Sequence, residues 1–178
     1  MAVENPIDLE YESAVSGLLE ALHQYEDKEL RRRIVSTLRR ISQQSKAAVQ
    51  GLTAVLQDDQ VDEESQQAAA YALGVIGSRE AVQGLVTALN NANCHAKESA
   101  VRVLAAIGSR DAIRGLITGL TIQNMKLRET ILKAFSSVNR QFFEAELLMA
   151  LLHEDETVQI IAARILERMG TTNGLPPI

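Results

Sequence analysis

Ala72-Leu73-Gly74-Val75-Ile76-Gly77-Ser78-Arg79-Glu80-Ala81-Val82-Gln83-Gly84-Leu85 is echoed by Val103-Leu104-Ala105-Ala106-Ile107-Gly108-Ser109-Arg110-Asp111-Ala112-Ile113-Arg114-Gly115-Leu116, Leu73 and Leu104 standing 31 residues apart. A sequence that repeats at a fixed period of roughly 20 to 50 residues builds a solenoid, because each unit can bury its apolar face only against its neighbours. Outward from this pair the same columns continue. Leu73, Leu104, Phe135 and Leu166 keep the step, as do Ile76, Ile107, Val138 and Met169, and Leu38 and Ile41 join after a longer one. A second set runs through Leu18, Leu52, Leu85, Leu116 and Leu147, then Leu22, Leu56, Leu89, Leu120 and Leu151.

The columns define five units of two helices each, an all-α fold of the α-solenoid type spanning residues 1–170 as one domain. Within a unit the spacing is helical: Val158, Ile161, Ala162, Ile165, Leu166 and Met169 follow the i, i+3, i+4, i+7 rhythm of one buried face. Each second helix opens at a capping residue, in turn Asp27, Asp62, Asn93, Asn124 and Asp155. Gly77-Ser78 and Gly108-Ser109 predict a left-handed helix end followed at once by a new cap. Gly17, Gly51, Gly84 and Gly115 fall in the middle of first helices, where close approach of a neighbouring backbone is the expected compensation for poor helix propensity. In the fifth unit this position is Glu146, which reads as the polar face of a capping repeat. Residues 171–178, with Gly174, Pro176 and Pro177, read as a flexible tail.

Composition narrows the function classes. Apolar residues make up 46% of the chain, yet there is no Trp and aromatic residues are 3%, which suits small-residue helix packing rather than an aromatic ligand pocket. A net charge of −5 opposes a nucleic-acid partner. Cys94 is the single cysteine, so neither an internal disulfide nor a thiolate zinc cluster is expected. The first residues, Met1-Ala2-Val3-Glu4-Asn5-Pro6, lack a basic region, and no apolar run approaches a membrane span. The expectation is a cytoplasmic protein.

Asp155-Glu156-Thr157-Val158-Gln159-Ile160-Ile161-Ala162-Ala163-Arg164-Ile165-Leu166 and Ala70-Tyr71-Ala72-Leu73-Gly74-Val75-Ile76-Gly77-Ser78-Arg79-Glu80-Ala81-Val82 resemble the HEAT-like repeats of the phycobilisome-lyase type. The resemblance runs from about Asp8 to Gly170. It implies a helical solenoid and a family that includes bilin lyases, phycobilisome disassembly factors and non-catalytic adaptors. Two enzyme classes on related folds fit poorly. Iron-dependent hydroxylases of this type carry repeated His-Glu pairs where this chain has one, His153-Glu154, and the repeat-built DNA glycosylases use a basic, aromatic-containing groove.

Candidate binding residues follow from register. Nine residues after each cap stand Ser36, Tyr71, Arg102, Lys133 and Arg164. On stacked helices about 8 to 10 Å apart they form either a ladder for an acidic partner or a solvated face held by i, i+4 pairs such as Glu129 with Lys133. Arg32 and Arg39 belong to a basic helix, Lys28 to Arg40, that follows an acidic one carrying Glu10, Glu12, Glu20 and Glu26. Mutual attraction of these two helices is one reading and a partner-binding edge the other. The acidic run Asp58 to Glu64 reads as solvated. Cys94 is expected as a half-buried or surface thiol in a helix's first turn, without the neighbouring base a nucleophile needs. His23, His95 and His153 fall in different units and cannot share a metal.

No catalytic residue, metal site or cofactor is therefore assigned. The leading expectation is a non-catalytic adaptor or assembly factor that grips another protein with Tyr71, Arg102, Lys133, Arg164, Arg32 and Arg39. The alternative, carried by the resemblance, is a bilin lyase subunit or phycobilisome assembly or disassembly factor whose partner is a phycobiliprotein or a paired lyase-like subunit. A further expectation is association through the solenoid ends, with an apolar patch at Phe142 and Phe143.

Overall fold

In the computed structural model, residues 6–42, 46–91, 94–135 and 140–171 are described, and they form helices α1 (Pro6–Gln24), α2 (Lys28–Ile41), α3 (Lys46–Gln57), α4 (Glu63–Ile76), α5 (Arg79–Asn90), α6 (Lys97–Ile107), α7 (Arg110–Gly119), α8 (Met125–Ala134), α9 (Arg140–Ala150) and α10 (Glu156–Thr171). There is no strand among the described residues. Paired in order, these are five helical hairpins, as the columns predict. The chain divides into two compact units, residues 1–100 and 101–178, with the division inside α6. In the first unit α3 packs between α1 and α5, and α2 packs on α4; in the second, α7 packs on α9 and α9 on α10.

Local chemistry sets the boundaries. The carboxylate of Asp27 accepts from the Leu30 amide, that of Asp62 from Ser65, and the side-chain oxygen of Asn124 from Leu127. Asp155 accepts from the Thr157 amide at 2.8 Å. Asn93 lies outside the described residues. Gly77 and Gly108 take φ of 62° and 61°, the left-handed conformation that lets a helix end and its successor begin within two residues. Ser78 and Ser109 then cap α5 and α7 through the Ala81 and Ala112 amides.

The core follows the leucine columns, whereas Ile41, Ile76 and Ile107 of the remaining column are only half-buried. Leu38, Leu52, Leu56, Leu73, Leu85, Leu89, Leu104, Leu116 and Leu147 are fully buried. A large apolar side chain removed from water contributes on the order of 1.5 to 3 kcal/mol, so these columns supply most of the gross stabilisation of each unit. Phe143 is part of this core, its ring stacked on Phe135 with centroids 4.2 Å apart. It is therefore no surface patch, and the Phe142 side chain lies outside the described residues. The exposed apolar residues of α9 and the turn after it are instead Leu148, Met149 and Leu152.

A device that no sequence column announces closes the turn inside four of the five hairpins. The residue four places after the cap reaches back to carbonyls at or just beyond the end of the preceding first helix, groups that have no helical partner of their own. Arg31 Nε donates to Leu22 O and Tyr25 O at 3.2 and 3.1 Å. Gln66 Nε2 donates to Asp58 O at 2.6 Å, Arg128 Nε to Ile122 O at 2.9 Å and Gln159 Nε2 to His153 O at 2.5 Å. In the first unit the same side chains also grip the next hairpin: Arg31 Nη1 donates to Asp62 Oδ2 at 3.1 Å, and Gln66 Oε1 accepts from the His95 amide at 2.8 Å.

The mid-helix glycines follow a rule different from the expected one. A Cβ on Gly51 would stand 2.9 Å from Val15 Cγ1, and one on Gly84 would meet Thr53 Cγ2 at 3.0 Å and its Cβ at 3.3 Å. A neighbouring side chain, not a backbone, fills the space. Nothing lies within 4 Å of the same point on Gly17, so close approach does not account for that residue. Glu146 departs further. Instead of facing solvent as a cap it is 5% exposed, its carboxylate held by Arg114 Nη2 at 3.1 Å and Arg110 Nε at 3.8 Å. Burial of a carboxylate is tolerable only when it is paired in this way.

Candidate functional site

The second unit contains an open groove of about 470 Å³ between α8 and α10. Its floor is apolar, built by Leu120 at the end of α7, Leu132 of α8, and Ile161 and Ile165 of α10. Arg128, Arg164 and Glu167 supply its charged groups. The i, i+3, i+4 spacing of Ile161, Arg164 and Ile165 puts a cation beside two apolar side chains on one helix face. Arg128 is oriented by its bonds to Ile122 O and, at 3.4 Å, Thr121 O. Such an arrangement takes up an apolar side chain or ring system and orients an acidic group beside it.

Of the residues singled out by register, Arg164 is exposed and lines this groove. Lys133 is exposed on α8 and donates to the Glu129 carboxylate, one turn earlier on the same helix. Arg102 is exposed on α6. Tyr71 belongs to the first unit, 49% exposed on α4, one turn from exposed Val75. Arg39 is exposed on α2, and Arg32 ion-pairs with Glu64 of α4 and Glu29 of its own helix. Arg128 carries no mark of its own in the sequence, because the cap-plus-four residues are Arg31, Gln66, Lys97, Arg128 and Gln159 and share no single residue type.

The basic helix α2 is not neutralised by α1 through any pair found among the described residues. Its acidic partners are Glu29, one turn away, and Asp62 and Glu64 of the next hairpin, so the acidic run between α3 and α4 is engaged rather than merely solvated. Burial pushes the Asp62 carboxyl upward, but the Ser65 amide and hydroxyl together with Arg31 outweigh it and hold the group below the usual carboxylate range.

Cys94 is neither exposed nor in a helix's first turn. It is 3% exposed, three residues before α6 begins, and burial raises its thiol pKa against the opposing pull of the Ala96 amide and Lys97. A thiol kept protonated in this way is a poor nucleophile. His95 and His153 are exposed, and His153 Nδ1 accepts from the Asp155 amide at 3.0 Å. The His23 side chain lies outside the described residues. Among the described residues no three His, Cys, Asp or Glu side chains converge as a metal-binding group would, and no helix is long and apolar enough to cross a membrane.

Comparison with known proteins agrees with this architecture. Residues 61–136 match the family model described as HEAT repeats. Together with the ten described helices, that match defines the class: an all-α solenoid of HEAT-like repeats. A solved structure with the same fold is the complex of CpcE and CpcF of phycocyanin lyase from Nostoc sp. PCC7120, at 24% sequence identity and a TM-score of 0.50. The alignment covers 89% of this chain and 66% of that one, so the chain spans a little under two thirds of its structural neighbour. No curated protein matches.

Proposed function

We propose that this chain is a non-catalytic binding scaffold that holds another protein against its second helices, with the α8–α10 groove as the apolar seat. The observation that carries the reading is the groove itself: four apolar side chains under a rim of Arg128, Arg164 and Glu167, with Lys133 next to Leu132 in sequence. Arg102 of the same unit is an auxiliary contact in this reading, and Tyr71, Arg32 and Arg39 offer separate contacts on the first unit. The partner presents an apolar anchor beside a carboxylate, since an Arg-lined apolar groove rewards that pairing. The test is recovery of partners from native extract by the wild-type chain beside Ile161→Asp and Arg164→Glu variants. One protein retained by wild type and lost by both variants, each still helical and cooperatively folded, supports the reading; retention by all three removes the groove from it.

A second reading is favoured by the structural neighbour, a phycocyanin lyase complex of CpcE and CpcF. In it the chain serves as one subunit of a bilin lyase or as a phycobilisome assembly or disassembly factor, and the groove receives part of a phycobiliprotein or its chromophore. Mixing the chain with a bilin and following its visible absorbance tests this directly. An unchanged spectrum and no transfer to an apo-phycobiliprotein, alone or with a candidate second subunit, sinks the lyase form.

A further inference from the structure

A second surface lies away from the α8–α10 groove. The residue one place after the Leu52–Leu147 column has a different fate from one first helix to the next. In α3 it is Thr53, which sits over Gly84 of α5. In α7 it is Ile117, 1% exposed. In α9 it is Leu148, and there it is 53% exposed, flanked by Met149 at 58% and, one turn on, Leu152 at 80%. No described helix covers it. Met149 and Leu152 continue into a groove of about 420 Å³ whose other wall holds Ile117 and Arg114, the latter paired with buried Glu146. Of the nearby carboxylates Glu154 lines this groove, while Glu144, one turn before Leu148, and Glu156, at the start of α10, are exposed.

Three neighbouring exposed large apolar side chains on one helix end are more than scattered surface residues, and they mark an interaction site. The register says what shape fits: at the α3–α5 joint, where Thr53 fills the same position, Gly84 of the facing helix makes room for it. The rim says what charge fits. A second copy offering its α1 would bring Gly17 with open space around it, but also exposed Glu10, Glu12 and Glu20 against an acidic rim. We propose that α9 docks a helix of another protein that carries a glycine or alanine opposite Leu148 and Lys or Arg on its flanks, seating Leu148, Met149 and Leu152 as knobs. This is a contact between stacked helices, independent of the α8–α10 groove.

The probe is a synthetic Ala-based helical peptide of about 20 residues with a central glycine and lysine flanks. Two controls accompany it, one with glutamate flanks and one with leucine in place of the glycine. Binding is read by fluorescence anisotropy on the full chain at low salt. The lysine peptide is expected to bind at least tenfold more tightly than either control, and Leu148→Ser with Leu152→Ser to weaken it at least tenfold while leaving helicity and thermal unfolding in place. Ile161→Asp, in the other groove, is expected to leave this binding unchanged. Failure of the lysine peptide to bind, or binding indifferent to the Leu148 and Leu152 changes, overturns the proposal. So does concentration-dependent dimerisation of the wild-type chain that Leu152→Glu abolishes, because the face then belongs to a second copy.

Discussion

Between α3 and α5 the first unit closes a helix joint by laying Thr53 over a glycine; between α7 and α9 the second unit places Arg114 against a buried glutamate at the equivalent position. One joint is complementary in shape and the other in charge. The Thr53 hydroxyl donates to Val49 O at 2.9 Å, so swinging away from a larger neighbour would break that bond. Arg114 is 57% exposed and can rehydrate when its partner is lost, whereas Glu146, at 5%, cannot. The difference teaches that a repeat register fixes where two helices must meet without fixing how, and that the two solutions fail asymmetrically.

The largest effect that would break this picture is expected at the polar staple of the first unit. Arg31 is buried and serves two carbonyls and Asp62 together, so Arg31→Ala should cost about 3 kcal/mol in chemical denaturation. Arg128→Ala, which frees bonds only within its own hairpin, should cost about 1 kcal/mol. Equal losses would mean the link from Arg31 to the next hairpin contributes nothing.

Next is the charged joint. Arg114→Ala leaves the Glu146 carboxylate buried with only the longer Arg110 contact and should destabilise by about 2 kcal/mol, more than Glu146→Gly, which leaves behind two arginines that solvent already reaches. A double-mutant cycle that showed no coupling between the two would remove the ion pair from the account.

The glycine joints predict opposite signs for one substitution. Gly84→Ala drives a Cβ into Thr53 and should destabilise by about 1 to 2 kcal/mol despite the better helix propensity of alanine. Gly17→Ala, in open space, should stabilise by about 0.5 to 1 kcal/mol. Thermal melts of the pair decide the matter, and shifts in the same direction would refute the packing argument.

The smallest effect is in pH. Asp62 titrates lower in the folded chain than in the unfolded one, so its contribution is complete above the usual carboxylate range and is lost as pH falls through the depressed folded value. Asp62→Asn should therefore flatten the acid limb of the stability curve, at a cost of about 1 kcal/mol near neutral pH. An acid limb unchanged by the substitution would show that the carboxylate carries no such linkage.

The helices, caps and core were legible because each leaves a mark at fixed spacing. A leucine column, an Asp or Asn at a helix start, and a Gly-Ser pair are local signals whose physical meaning hardly depends on what lies across the fold. The fate of Arg31, Glu146 and Phe143 was not legible for the opposite reason. A guanidinium at a helix's first turn reads as surface until its reach to Leu22, Tyr25 and Asp62 is known, and a lone glutamate in an apolar column reads as an exposed end until two arginines appear above it. Register named Arg164 but not the groove beside it, because Leu120, Leu132 and Ile161 come from three helices and converge only on folding.

The polar ties between hairpins also bear on how fast the chain finds its fold. Arg31 to Asp62, Arg32 to Glu64, Gln57 to Asn91, Gln66 to His95 and Arg114 to Glu146 span 31, 32, 34, 29 and 32 residues. Each loop closes over about one repeat length. Contacts of such short reach carry a low entropic cost of closure, so any hairpin that forms early can template the next without waiting for the chain's distant end.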